Sequence, residues 1–185
     1  SRGLGDVYKR QREHIQKCQA HTDKPFAVNL PLLYPQIDDH ISVIIDEGIK
    51  IVFTSAGNPA KWTSHLKAHN IKVVHVISNV KFAKKAVDAG VDAIVAEGFE
   101  AGGHNGREET TTMCLTPSVV DAVDIPVIAA GGLYDGKSML AAMVLGAEGA
   151  QMGSRFVATE ESSAHIEFKK TVVELGEGGT SLTLK

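Results

Sequence analysis

Two neighbouring segments decide how this chain folds. They are Pro126-Val127-Ile128-Ala129-Ala130-Gly131-Gly132 and Gly149-Ala150-Gln151-Met152-Gly153-Ser154-Arg155-Phe156. Each is a short apolar run that ends in glycine ahead of a helical pattern. Apolar runs without polar alternation read as strands covered on both faces, and such strands are parallel. Between the two, Ser138 to Leu145 has helical spacing and closes at Gly146, a C-terminal cap signal.

The same unit recurs toward the N-terminus. Phe26–Leu30, Ile51–Thr54, Lys72–Ile77 and Ala93–Ala96 read as further strands. Lys81 to Ala89, with Phe82, Ala83, Ala86 and Val87 on one face, closes at Gly90, and Asp39 to Asp46 precedes Gly48. Asn58-Pro59 and Thr116-Pro117 each set a polar cap before a proline suited to a first helical turn; the second predicts a helix over Ser118–Val123. Strand onsets near residues 26, 51, 72, 92, 126 and 149 make a βα repeat, hence a parallel sheet. The longest interval holds Glu97 to Cys114, a loop longer than a plain connection, and such loops are commonly functional. No linker or composition break divides residues 1–185, so one domain is expected.

Such a sheet either stays open and doubly wound or closes into a barrel. A dinucleotide-binding open sheet would carry G-x-G-x-x-G after its first strand. The first clear strand here ends in Asn29-Leu30-Pro31, and the glycine turns follow the last two strands instead. Eightfold barrels bind phosphate with the loops after strands seven and eight. The expected fold is therefore α/β, a (β/α)8 TIM barrel of which this chain carries about strands three to eight. Its 185 residues fall short of the roughly 250 typical of that fold. The expectation is a domain truncated at both ends, by about two βα units in front and a tail behind. Ser1–Gly5 either echoes a second-strand glycine run or belongs with Gly5–Gln11, which resembles a translated sequencing adapter; residues 1–11 would then be non-native.

Composition excludes several functions. Hydrophobic residues make up 43% and charged residues 22%, ordinary for a packed protein. A net charge of −3 and a pI of about 6.2 argue against a nucleic-acid footprint. No apolar run approaches a membrane span, and no signal segment opens the chain. Cys18, in a helical pattern, and Cys114, in the long loop, form neither a disulfide framework nor a metal-ligand spacing, which points to the cytoplasm and to no metal.

The chemistry concentrates at strand ends. In Glu97-Gly98-Phe99-Glu100-Ala101-Gly102-Gly103-His104-Asn105-Gly106, the glycines let backbone approach a planar ligand, and His104 follows directly, a residue type that can accept or donate a proton. A surface position explains His14, His21, His40, His65, His69 and His165, while His75 reads as a satisfied core or barrel-lumen histidine. Gly131-Gly132 makes either an anion nest or a tight turn. Gly153 and Ser154 either offer N–H groups to a phosphate or merely cap a helix. Arg155 pairs with phosphate or, in the favoured reading, with a nearby acid. Asn29 needs a partner, either a ligand or neighbouring backbone. Asp92 reads as structural, and Arg107-Glu108-Glu109 as a solvated rim.

Together, Glu100-Ala101-Gly102-Gly103-His104-x-Gly106, Ala130-Gly131-Gly132 and Gln151-Met152-Gly153-Ser154-Arg155-Phe156 resemble the nitronate monooxygenase (2-nitropropane dioxygenase) family. Lys24–Asn29 and Ser55–Pro59 look like it too, so the resemblance covers about residues 12–185. The superfamily also contains the FMN-dependent enoyl-ACP reductases. The resemblance implies FMN held non-covalently by Asn29, Glu97, Gly102, Gly103, Gly131 and Gly132, its phosphate by Gln151, Met152, Gly153 and Ser154, and His104 as the catalytic histidine. Glu97 stands where many relatives carry Gln, and Ser154 where many carry Thr. The implied reaction is oxidation of a nitroalkane or nitronate with O2 to a carbonyl compound and nitrite. The alternative is reduction of an enoyl thioester with NAD(P)H. A third reading is a fragment that holds no flavin by itself.

Overall fold

The computed structural model describes residues 7–176 and 178–181. Residues 1–6, and Leu182–Lys185 at the end of the C-terminal glycine-containing stretch, lie outside the described residues. Six strands form one parallel sheet in chain order: β1 Ala27–Pro31, β2 Ile51–Ser55, β3 Lys72–Ile77, β4 Ala93–Glu97, β5 Val127–Ala130 and β6 Gly149–Gln151. Each starts and stops within a residue or so of its apolar run. Strictly sequential parallel order is the arc of a barrel; a doubly wound sheet would reverse its order partway.

The helices are α1 Val7–His21, α2 Ile37–Asp46, α3 Thr63–Ala68, α4 Val80–Asp88, α5 Thr112–Val120, α6 Gly136–Val144, α7 Ser154–Val157 and α8 Ile166–Glu174. Four of them end in the same way. After α2, α4 and α6 a glycine takes positive φ (Gly48, Gly90, Gly146), and after α3 Asn70 does so. The next residue then donates its amide five residues back: Ile49 to Ile44, Ile71 to Leu66, Val91 to Ala86 and Ala147 to Ala142. This is the Schellman closure, and its hydrophobic contact is present, because Ile49, Ile71, Val91 and Ala147 are all buried. Each helix thus hands the chain directly to the core and the following strand.

Side chains alternate across the sheet, as strand geometry requires. Leu30, Val52, Val73, Ile77, Ile94, Ala96 and Val127 face the helices and join Ile41, Ile44, Leu66, Ala83, Ala86, Leu115 and Val119 in the main core. Val74, Val95 and Ala130 form a smaller cluster on the other face, with Ile51, Phe53, Val76, Ala93 and Ile128 partly buried against it. That second face is the inside of the arc.

Two sequence expectations are corrected. The helix expected over Ser118–Val123 begins at Thr112 instead, so Pro117 lies inside α5 and Thr116 does not cap it. Cys114 correspondingly sits on α5, exposed, and not in the loop. The reason is a cap that is remote in sequence: the Glu100 carboxylate accepts the Thr112 amide at 2.9 Å and supplies the first-turn acceptor. His75 proves to be a core histidine. It alternates with Val73 and Ile77 toward the helices, is 5% exposed, and its Nδ1 lies 2.8 Å from Thr54 Oγ1. Asp92 is structural as expected, accepting from the Val73 amide at 2.9 Å and pairing with Lys67 and Lys72.

Candidate functional site

Parity on the strands places Asn29, Glu97 and Gln151 among the polar residues of the inner face. Asn29 shares the face of Phe53, its register partner, and is exposed. Glu97 pairs in register with Ala130, and Ala130 with Gln151, so Glu97 and Gln151 flank a buried alanine at the C-terminal ends of β4, β5 and β6. Glu97 is half-buried, and burial pushes its carboxyl above the usual range. A carboxyl in that setting holds its proton more readily than one in water. Asn29 lies on β1, at the opposite edge of the sheet from β6. The structure therefore brings Glu97, Gly131, Gly132 and Gln151 to adjacent strand ends and leaves Asn29 apart from them.

The loop between β4 and α5 is built onto the sheet. The Gly98 amide donates to Ala130 O at 2.8 Å, and the Phe99 amide to Thr110 O at 2.9 Å. A Cβ on Gly98 would stand 2.4 Å from the Thr112 amide nitrogen, so only glycine fits there. Thr112 Oγ1 lies 3.0 Å from a Glu100 oxygen, 3.1 Å from Ala130 O and 2.9 Å from Gly131 O. Glu100 and Thr112 thus fasten the loop to the turn after β5. Gly131 has φ +104, and a Cβ there would meet Gly98 O and Thr112 Oγ1, both at 2.8 Å. The tight-turn reading of Gly131 is thereby satisfied, since close packing and left-handed backbone both require glycine.

The far part of this loop is open. Gly102, Gly103 and His104 are exposed, and nothing lies within 4 Å of a Cβ built on Gly102 or Gly103. Asn105 Nδ2 donates to Phe99 O and to Ala101 O, both at 2.9 Å, closing the bend from which His104 projects. Gly106 packs against Ser78, where a Cβ would come within 2.4 Å of the Ser78 Cβ. Sequence reasoning missed Asn105, Thr112 and the capping role of Glu100. Asn105 occupies the unassigned position of the glycine–histidine motif, and nothing in the local pattern marks a cap twelve residues from its helix.

After β6, Met152 is half-buried, Gly153 precedes α7, and Ser154 is its first residue. No Cβ neighbour fills the space at Gly153. Among the described residues, none accepts from the Gly153 or Ser154 amides. Two exposed N–H groups and a glycine without steric cover suit an anionic oxygen group. Arg155 makes no ion-pair contact among the described residues, correcting the expected structural pair. Asp135 is held below its usual range first by the Ser138 amide, and Arg155 acts on it only at longer range.

The nitronate monooxygenase family model matches residues 32–185. At 38% identity over 179 residues, the chain is similar to the (3aS,4S,5R,7aS)-5-hydroxy-7a-methyl-1-oxo-octahydro-1H-indene-4-carboxyl-CoA dehydrogenase of Rhodococcus jostii, covering 97% of this chain and 50% of that protein. It is likewise 38% identical to a probable nitronate monooxygenase of Staphylococcus saprophyticus, over 92% of this chain and 52% of that one. Among solved structures, FabK from Thermotoga maritima superposes with a TM-score of 0.86 at 45% identity, over 91% of this chain and 53% of that one. A nitroalkane oxidase from Streptomyces ansochromogenes superposes with a TM-score of 0.82 at 26% identity, over 89% and 59%. The chain spans about half the length of the curated relatives it matches. With the motifs, the sequential sheet and these likenesses in agreement, the chain is a barrel segment and belongs to the nitronate monooxygenase family.

Proposed function

We propose that this chain is the strand-three to strand-eight part of an FMN-dependent barrel enzyme that oxidises nitronates and nitroalkanes with O2, giving a carbonyl compound and nitrite. The observation that carries the reading is the position of His104: exposed on a glycine bend whose base is fastened to the turn after β5, beside the strand end that bears Glu97. FMN, when bound, supplies the redox chemistry that no side chain here can perform. The residues present suit it. Open glycine backbone at Gly102 and Gly103 accommodates a flat ring, and the free amides of Gly153 and Ser154 suit its phosphate. Gly131 and Gly132 shape the turn between them, and Glu97, Gln151, Met152 and, from the far edge, Asn29 would complete the contacts.

His104 would accept the α-proton of a neutral nitroalkane on an imidazole nitrogen. The C–H electron pair moves into the nitro group, leaving the nitronate. The resulting imidazolium then holds the anion in place by charge. A substrate supplied as nitronate needs no such base.

A second reading, an enoyl-thioester reductase using NAD(P)H, is favoured by the CoA-thioester name of a relative 38% identical over nearly the whole chain. Anaerobic titration of the FMN-loaded intact enzyme separates the two. Bleaching of the yellow flavin by nitronate supports the first and bleaching by NAD(P)H the second. Bleaching by neither sinks both. His104→Ala should retain FMN and slow turnover of neutral nitroalkane about 10²–10⁴-fold, the usual worth of a general base. Unchanged turnover would remove the histidine from that role.

A further inference from the structure

We infer that Asn105 is the positioning residue that holds His104 in its working orientation. The inference rests on the proposed role of His104 as a base and extends it to the residue beside it. Both amide hydrogens of Asn105 are committed, one to Phe99 O and one to Ala101 O, each at 2.9 Å. These bonds reach back six and four residues, so the side chain ties the end of the bend to its beginning. Gly102 and Gly103 lie between the tied points and have no side chains to stiffen them; Gly103 is also at φ +94. Without the tie, that two-glycine span has no internal restraint, because glycine populates both signs of φ freely. His104 makes no hydrogen bond among the described residues, so what the structure fixes is the backbone from which its ring projects, and Asn105 fixes that backbone.

Outside the bend the restraints lie elsewhere. Glu100 and Thr112 fix the loop's base, and Gly106 against Ser78 fixes its exit. Neither reaches the segment 101–105. Asn105 Oδ1 is buried and accepts nothing. The amide is thus present for its two donors, and an isosteric carboxylate would face two carbonyl oxygens with like partial charge.

The test is a set of three measurements on the FMN-loaded intact enzyme carrying Asn105→Asp or Asn105→Ala. Asp keeps the size and the acceptor but loses both donors. Turnover of neutral nitroalkane should fall about 10²-fold in each, the cost of misplacing a reacting group by about 1 Å. Turnover of preformed nitronate should stay within about threefold, because it bypasses the base. FMN should still bind, because the residues proposed for its phosphate, Gly153 and Ser154, lie outside the bend. If Asn105→Asp matches the unaltered enzyme on neutral nitroalkane, the inference is overturned. It is equally overturned if both substrates slow alike or FMN is lost, since the residue would then serve the fold and not the histidine. Should the unaltered enzyme turn over neither substrate, the proposed function fails on its own. The inference is then decided by the rate at which diethylpyrocarbonate modifies His104 and by amide exchange across 99–106. Both change in the Asp variant if Asn105 positions the bend, and an unchanged pair of rates overturns it.

Discussion

The two faces of the one sheet are built for different purposes. Toward the helices, Val52, Val73, Ile94 and Ala96 are fully buried, and the one polar pair among them, Thr54 and His75, satisfies itself. On the inner face only Val74, Val95 and Ala130 are buried, and the polar residues Asn29, Glu97 and Gln151 stand without side-chain partners among the described residues. Because successive residues of a strand point to opposite faces, a shift of one position moves a side chain from fold-building to ligand-facing. Burial on one face and unspent hydrogen-bonding capacity on the other are what a scaffold with a binding site requires.

The largest expected effect tests the burial half of that contrast. Ile94→Ala empties a fully buried position under the helices and should cost about 2–5 kcal/mol in urea unfolding. Ile128→Ala, partly buried on the inner face, should cost roughly 1–2 kcal/mol, in proportion to the smaller apolar area it removes from burial. Equal losses would mean that the inner face carries as much of the fold as the outer one.

An effect of up to about 3 kcal/mol, comparable with the Ile94→Ala loss, comes from His75 and depends on pH. Burial lowers its pKa to about 4, against some opposition from a hydrogen bond with the Thr54 backbone. The unfolded chain, with an ordinary histidine, binds the proton more readily. His75 therefore contributes full stability above about pH 6.5, loses it as pH falls toward 4, and changes little below that. The urea midpoint of the unaltered protein should drop through this window, and His75→Leu should flatten the drop. A slope that survives the substitution would assign the acid sensitivity to another group.

How much of this was readable beforehand follows from where each signal lies. Strands and their order were legible because apolar runs and glycine stops are local. The side of the sheet on which His75 falls was not legible: Val73 and Ile77 share its parity, but Val74 and Val76 stand on the other, so the strand is apolar on both faces and leaves core and lumen open. The start of α5 was not legible. Thr116-Pro117 is a good local helix opening, but Glu100 captures the Thr112 amide across the loop, and a tertiary cap outranks a local one. Proline at 117 is tolerated inside a helix of nine residues whose first turn is held from outside. Asn105 escaped for a related reason. Its function lies in reaching back to two carbonyls, and in a linear motif it looks like a spacer.

Glu97 supplies the smallest effect and the opposite sign, which makes it the sharpest check on the contrast between faces. Burial raises its carboxyl pKa, and among the described residues no cation pairs with it to lower it. The folded state then binds a proton more readily than the unfolded one. Its contribution to stability is present below the ordinary carboxyl pKa and is lost as pH rises through the raised value. Glu97→Gln keeps the shape and removes the ionisation. The two proteins should unfold alike at acid pH, and the Gln form should become the more stable at neutral pH, by less than the His75 window because Glu97 is only half-buried. If the Gln form is instead the less stable at neutral pH, the charge is being held by a partner, and the inner face has spent the capacity on which its reading as a binding surface depends. If the predicted order holds, His75, facing the helices, loses stability toward acid, and Glu97, facing the inside of the arc, loses it toward higher pH.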